Sequence, residues 1–499
     1  MSETKIQSYA SDAVANEDSG SRRSRPTPKS TPAAPKAAAG SRRKHASSGT
    51  AQPPRKKQKT TKKAPLNAVP DTVLAVFMFG SGENGELGLG PKVTASKRPK
   101  PNPHLDAKDS SALHIVRLAC GGMHTVALTA DNRLVTWGVN DNDALGRPTN
   151  WEGKLRDADA GSDNDDAELN PRESTPTEVS TENIPGATKF VDVAAGDSCS
   201  FAVTDTGLVY GWGTFRNSEG KESFGYTAGG ALIKRQPVPM LIPGLLRVTQ
   251  LVCGANHALA LDAAGTVWAW GCGQQNQFGR RLFGRHQESL RPRPVPVCRS
   301  GARLIASGEY HCFAVGQRRD DVWGWGLNSF GQTGDATSAG GDSALLPYPV
   351  KIPALCGQGV AVMAGGAHHS VAITADGQVY TWGRMDGGQL GIKFTDQQLG
   401  DDTVVRRDER DKPRICLQPT PVPQIGEAVH AACGTDHTIF VAKDGRAWAT
   451  GFGSEGQLGL GSDDDVDVAQ LIQGKAVKDR KLTWAGAGGQ FSSVAGPAA

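Results

Sequence analysis

Two short units alternate along the chain from Phe79 onward, each occurring seven times. One is Gly-x-x-His or a variant, followed by an apolar strand: Gly121-Gly122-Met123-His124, Gly196-Asp197-Ser198-Cys199, Gly254-Ala255-Asn256-His257, Gly308-Glu309-Tyr310-His311, Gly366-Ala367-His368-His369, Gly434-Thr435-Asp436-His437 and Gly488-Gly489-Gln490-Phe491. The other is an aromatic strand closing on Trp-Gly or a variant: Phe79-Gly80, Trp137-Gly138, Trp212-Gly213, Trp270-Gly271, Trp325-Gly326, Trp382-Gly383 and Thr450-Gly451. A period of this kind belongs to one supersecondary unit that buries its apolar face against copies of itself.

The segments around these units, such as Ser370–Thr374 and Val379–Gly383, have β-type composition. Seven copies predict an all-β fold, a seven-bladed β-propeller of four-stranded sheets. The repeats fall at about 74–133, 134–208, 209–264, 265–321, 322–378, 379–446 and 447–499, so the ring covers 71–499. It begins with an aromatic-Gly unit and ends with a Gly-x-x-His unit. The terminal strands must therefore share one blade, which also leaves no exposed sheet edge. Two spacings are stretched by insertions, an acidic one between Trp151 and Glu182 and a charged one between Phe394 and Pro413. Both are expected to be mobile surface excursions.

Charge divides the molecule differently from the repeat. The formal net charge is +4, yet residues 1–70 hold 15 Lys/Arg against 4 Asp/Glu while the remainder carries a net −7. A Pro-, Ser- and Ala-rich stretch with one aromatic residue cannot bury enough apolar surface to offset ordering, so 1–70 is expected to be a disordered basic N-terminal tail. Its clusters, above all Arg55, Lys56, Lys57, Lys59, Lys62 and Lys63, read as nuclear localisation or phosphate-seeking segments. No run of 18 apolar residues exists and Met1–Ala10 is polar, which argues against a membrane span or a secretory signal.

The sequence carries no recognisable bond-making apparatus. Nine cysteines without a Cys-x-x-Cys pair disfavour zinc and a disulfide framework. The two Gly-x-Gly-x-x-Gly matches, at Gly80 and Gly451, run into Leu-Gly rather than a helix and so fail as dinucleotide sites. No phosphate loop, His-Glu-x-x-His or Gly-x-Ser-x-Gly is present, and no cofactor or metal is expected. Histidines recurring at one position (His124, His257, His311, His369, His437) read as turn-stabilising, and Cys120, Cys253 and Cys433 as small buried fillers.

Departures from the repeat are the better functional candidates. The central residues of the turns vary, with Asp197, Asn256, Glu309, Tyr310, His368 and Asp436 expected to gather on one face. After Trp212 the chain makes a polar excursion, Thr214, Phe215, Arg216, Asn217, Ser218, Glu219, Gly220, Lys221 and on to Phe224. After Phe278 it places five arginines between Arg280 and Arg293 on an otherwise acidic body, suited to phosphate or an acidic protein patch.

This pattern resembles the regulator of chromosome condensation family, over 71–499 and all seven repeats. The segments Ala195–Ser198, Trp212–Arg216, Gly271–Gly273 with Phe278–Arg280, Gly365–Ser370 and Gly121–Thr125 carry the likeness. The resemblance implies a guanine-nucleotide exchange factor for the small GTPase Ran, acting without covalent chemistry on chromatin in the nucleus, in the service of nucleocytoplasmic transport and mitosis. It implies exchange-promoting roles for Asp197 and His368 and a GTPase-binding wedge at Thr214–Lys221. Further partner-face positions are Glu83, His124, Asn256, Arg280 and Glu309, with nucleosome or DNA contacts by Arg285, Arg291, Arg293 and the tail. A nuclear import receptor is the partner expected for the tail. Cys199 stands where that family's pattern has histidine, Asn256 where it has an acid, and Glu83 where it has aspartate. The competing reading is a non-catalytic propeller scaffold for a chromatin or ubiquitin-pathway partner.

Overall fold

A computed structural model describes residues 65–153, 168–227, 229–282, 289–341 and 344–498. The basic clusters of the tail and the centre of the acidic insertion lie outside these residues.

Seven antiparallel sheets of at least four strands follow one another along the chain. Blade I comprises Ile115–Cys120, His124–Thr129, Leu134–Gly138 and Thr177–Glu178, and blade II comprises Phe190–Ala195, Cys199–Thr204, Val209–Gly213 and Gln236–Leu241. Blades III, IV, V and VI start with Val248–Cys253, Ala302–Ser307, Val360–Gly365 and Ala428–Cys433. Blade VII joins the two ends, in the order Ala95–Pro101, Leu74–Ser81, Phe491–Pro497, Trp484–Ala487. Leu74 to Gly80 pair residue by residue with Pro497 to Phe491, so the shared blade expected from the order of the repeats is present.

The first strand of each blade lines a central channel of about 300 Å³. The second strand, for instance His124–Thr129 or His369–Thr374, is buried throughout because neighbouring blades cover both faces. The third strand ends on the aromatic-Gly unit. Trp137, Trp212, Trp270, Trp325 and Trp382 are at most 1% exposed, and the glycine that follows has φ between +87° and +110° in all seven copies. At Gly138 a Cβ would stand 2.4 Å from the Met123 carbonyl oxygen, so no larger residue fits.

One expectation is corrected. The motif histidines do not act within their own turns. Their Nε2 atoms reach the next blade, from His124 to Ser200 Oγ (2.8 Å), His311 to Ser370 Oγ (2.8 Å), His369 to Thr438 Oγ1 (2.9 Å), His437 to Ser492 Oγ (2.8 Å) and His257 to Cys312 Sγ (3.1 Å). Blade II departs on both sides of its junction at once: Cys199 replaces the histidine, and Ala258 stands in the hydroxyl's register in blade III. The three cysteines before the motif glycine pack against the blade cores and also line the channel, and all nine cysteines are free.

The charged insertion after Phe394 is built into the fold. It forms a helix, Asp396–Leu399, with a Thr395/Gln398 capping box, and a strand, Val405–Arg407, that extends blade V to five strands. No helix among the described residues is long and apolar enough to cross a membrane.

Candidate partner-binding face

The seven Gly-x-x-His turns crowd one mouth of the channel and bond to each other around it. Gly122 N donates to Gly196 O, Asp197 N to Ala255 O, Ala255 N to Glu309 O, Glu309 N to Gly366 O, Ala367 N to Thr435 O and Gly489 N to Gly122 O, at 2.8–3.2 Å. Glycine lets the turns approach this closely. A Cβ on Gly254 would meet His257 Cε1 at 2.1 Å and Gly308 O at 2.5 Å.

Two of the turn side chains, Asn256 and Asp197, form one polar system with the hairpin. Asn256 Oδ1 accepts from Arg216 N at 2.7 Å, and Asn256 Nδ2 donates to Asp197 Oδ2 at 3.4 Å. Burial holds the Asp197 carboxyl above its ordinary range, opposed by the positive charge of Arg216. Thr435 donates to Glu309 Oε1 at 2.7 Å. Burial pushes the Glu309 carboxyl up to about 7, with the charges of Asp197 and Asp436 adding.

His368 occupies a separate sector. Gln332 Nε2 lies 3.4 Å from its Nδ1 and the Phe330 ring centroid 4.8 Å from its own. Burial, then Arg384, lowers its basicity. Arg384 bridges Asp386 (2.6 Å) and Asp436 (3.4 Å).

The wedge is a hairpin on aromatic roots. Phe215–Arg216 pairs with Glu222–Ser223, and Phe215 and Phe224, 1% and 2% exposed, stack with centroids 5.9 Å apart over Phe201. Thr214 is buried and its Oγ1 donates to Lys234 O at 2.7 Å. The tip is shaped by Asn217, whose Oδ1 accepts from Glu219 N (3.0 Å) and Lys221 N (2.8 Å). Ser218, Glu219, Gly220 and Lys221 are exposed, and Lys221 pairs with Glu219 at 2.6 Å. Gln274 braces the tip, accepting from Ser218 N at 2.6 Å.

Of the remaining positions, Glu83 is exposed on the loop that leaves Leu74–Ser81. His124 is fully buried and holds blade II, so it presents nothing to a partner; its side chain belongs to the recurring core position. Arg280 lies half-buried with its guanidinium 5.5 Å from the Phe278 centroid. Arg291 and Arg293 are exposed, and Arg291 stacks at 4.9 Å over Tyr226, in the continuation of the wedge excursion. The two irregular segments, read as separate in the sequence, thus meet. Arg285 and the localisation lysines and arginines (Arg55, Lys56, Lys57, Lys59, Lys62, Lys63) lie outside the described residues. No cluster of three or more His, Cys, Asp or Glu side chains able to hold a metal occurs among the described residues.

Sequence reasoning passed over Phe330, Gln332 and Arg384. The signal available was a glutamine recurring just before the last glycine-containing step in four of the seven loops, at Gln277, Gln332, Gln389 and Gln457.

A ring of seven blades closed by its two ends, with a hairpin and an uneven set of polar turns on one mouth, defines a propeller with one irregular polar face. Residues 75–494 match the RCC1-like domain family, and the chain belongs to it. It is 38% identical over 435 residues, 85% of this chain and 87% of its counterpart, to guanine nucleotide exchange factor SRM1 of Saccharomyces cerevisiae. Among solved structures it is similar to Prp20p of Saccharomyces cerevisiae, described with its binding to Gsp1p and histones (36% identity, TM-score 0.76, 86% of this chain and 92% of that one). It is also similar to yeast RCC1 (Prp20) bound to Kap60 (35% identity, TM-score 0.76, 90% and 96%).

Proposed function

We propose that this protein is a guanine-nucleotide exchange factor for a Ran-type small GTPase and works on chromatin. The observation that carries the reading is the single system formed by Asp197, Asn256 and the backbone of the wedge at Arg216. It supports a preformed tip, Ser218–Lys221, held rigidly beside a polar mouth. Similarity to SRM1, and to Prp20p with its Gsp1p and histone binding, supports the same reading.

The mechanism needs no bond-making residue. A partner that binds the empty GTPase more tightly than the loaded one weakens nucleotide binding by the same factor. The wedge tip enters the region beside the nucleotide, while Asp197 and His368 make polar contacts rather than transfer protons. The acidic ring attracts a basic surface and speeds encounter. The basic tail, together with Arg291 and Arg293, neutralises phosphates on nucleosomal DNA, and its lysine clusters engage an import receptor, as the Kap60 complex of yeast RCC1 suggests by analogy.

Release of labelled GDP from purified Ran, with and without this protein, tests the reading. Acceleration by orders of magnitude is expected, and about tenfold less in Asp197→Ala. An unchanged release rate with the wild-type protein would leave the scaffold reading in its place.

A further inference from the structure

The recurring glutamines do one job in the same way four times. The side-chain oxygen accepts from the backbone N–H two residues earlier: Gln277 from Gln275 (2.9 Å), Gln332 from Phe330 (2.8 Å), Gln389 from Gly387 (3.1 Å) and Gln457 from Glu455 (2.9 Å). This bond decides which end of the amide faces the other way. With the oxygen committed, the amide nitrogen of Gln389 points at the next blade and donates to Asp436 at 3.0 Å. The amide nitrogen of Gln332 points at His368 Nδ1, 3.4 Å away. Asp436 and His368 hold the same place, the third residue of the turn in the blade that follows.

In blade IV this arrangement dictates a proton position. Gln332 is fully buried, so turning its amide would strand the Phe330 N–H without an acceptor, at a cost of about 1–3 kcal/mol. An amide nitrogen can only donate, and the imidazole nitrogen facing it must accept. A neutral imidazole whose Nδ1 accepts carries its hydrogen on Nε2. Burial and the Arg384 charge keep the ring neutral. Phe330 holds the ring plane from the side and is itself covered by the guanidinium groups of Arg384 (5.5 Å) and Arg414 (5.1 Å).

We propose that Gln332 is a positioning residue that fixes His368 as the Nε2–H tautomer, so that His368 offers the GTPase a hydrogen-bond donor and meets an acceptor oxygen there. The partner's contact is therefore an acceptor oxygen, not an N–H or ammonium group. The donor role rests on the reading of His368 as a partner-facing residue, whereas the tautomer stands on this chain alone.

Two measurements separate these parts. In the full chain labelled with nitrogen-15 histidine, long-range proton–nitrogen spectra of His368, assigned by its loss in His368→Gln, are expected to show a protonated Nε2 and a bare Nδ1. Gln332→Leu should mix the tautomers, and Gln332→Glu should move the hydrogen to Nδ1. A protonated Nδ1 in the wild type, or an unchanged spectrum in Gln332→Leu, overturns the assignment. In GDP release from Ran, His368→Ala is expected to lose about tenfold, while His368→Gln, whose amide restores a donor near Nε2, stays within about threefold of the wild type. Gln332→Leu should lose activity mainly in kcat, while its melting temperature falls modestly because the Phe330 N–H loses its acceptor. Full activity in His368→Ala would overturn the partner-facing reading and the donor role with it, and equal losses in His368→Gln and His368→Ala would overturn the donor role alone.

Discussion

The Glu309 carboxylate accepts its 2.7 Å hydrogen bond from Thr435, a residue 126 positions further along and two blades away across the channel mouth. The bond places a carboxyl among other acids, Asp197 and Asp436, with Tyr310 hydrogen-bonded to it and Arg216 near Asp197. Because burial pushes Glu309 up to about 7 from an ordinary 4.5, the folded protein keeps this proton longer than the unfolded chain does. The group therefore stabilises the fold below about pH 4.5, and that contribution is lost as pH rises through 7. Glu309→Gln, neutral at every pH, should gain on the wild type between about pH 5 and 8, by at most about 3 kcal/mol at 1.36 kcal/mol per pKa unit. Thermal melts at the two pH values check this; an equal difference at both would contradict it.

The motif histidines have the opposite slope. Burial lowers His124 and His369 to about 4 and His257 and His437 to about 3, from an ordinary 6.5. Their contribution is present above 6.5 and is lost as pH falls through the folded values, because the unfolded chain takes up protons that the fold refuses. Stability should drop steeply between about pH 6 and 4. His437→Gln should flatten that drop, which denaturant melts across the range would record.

Cys199 and Ala258 depart from the repeat together. Cys199→His alone places a ring where no hydroxyl waits, at a cost of about 2–4 kcal/mol. Adding Ala258→Ser supplies the acceptor that Ser200, Ser370 and Ser492 give elsewhere and should recover about 1–2 kcal/mol. A double-mutant cycle in chemical denaturation measures the coupling, and strict additivity would show that the pairing seen in the other blades does not transfer.

Asn256 links the polar mouth to the wedge. Asn256→Ala removes the acceptor for Arg216 N and should lower GDP release from Ran about tenfold, with no more than about 1 kcal/mol lost in stability. A loss of stability matching the loss of rate would assign Asn256 to the fold alone.

Chromatin attachment should be steeply salt-dependent. Removing residues 1–64 takes away all the Lys and Arg of the first 70 residues and should flatten the fall of nucleosome affinity with salt far more than Arg291→Ala with Arg293→Ala does. Fluorescence anisotropy with labelled nucleosomes at several salt concentrations gives both slopes.

The ring was readable in the sequence because each blade solves the same packing problem with the same small turn, and five of the seven with the same tryptophan. Closure followed from the order of the two units. Contacts between blades were not readable: His311 and Ser370 are 59 residues apart, and nothing local marks them as a pair. Gln332 escaped for another reason. It recurs in register with Gln277, Gln389 and Gln457, so it reads as scaffold, and only the identity of the residue it faces makes it specific. The wedge was legible as an irregularity, but its rigidity depends on Phe201 from an adjacent strand, which the local sequence does not reveal.

The strand Leu74–Ser81 finds its inner partner only in Phe491–Pro497. At about 5–20 residues per second, the ribosome takes roughly 20 to 80 seconds to make the chain between them. Throughout that time the nascent protein is an open arc whose Leu74–Ser81 strand, paired with Ala95–Pro101 on one side, has its inner edge bare. Newly made molecules must be kept from joining one another strand to strand until the latch arrives, so the quality of the folded ring is decided by the arrival of Phe491–Pro497.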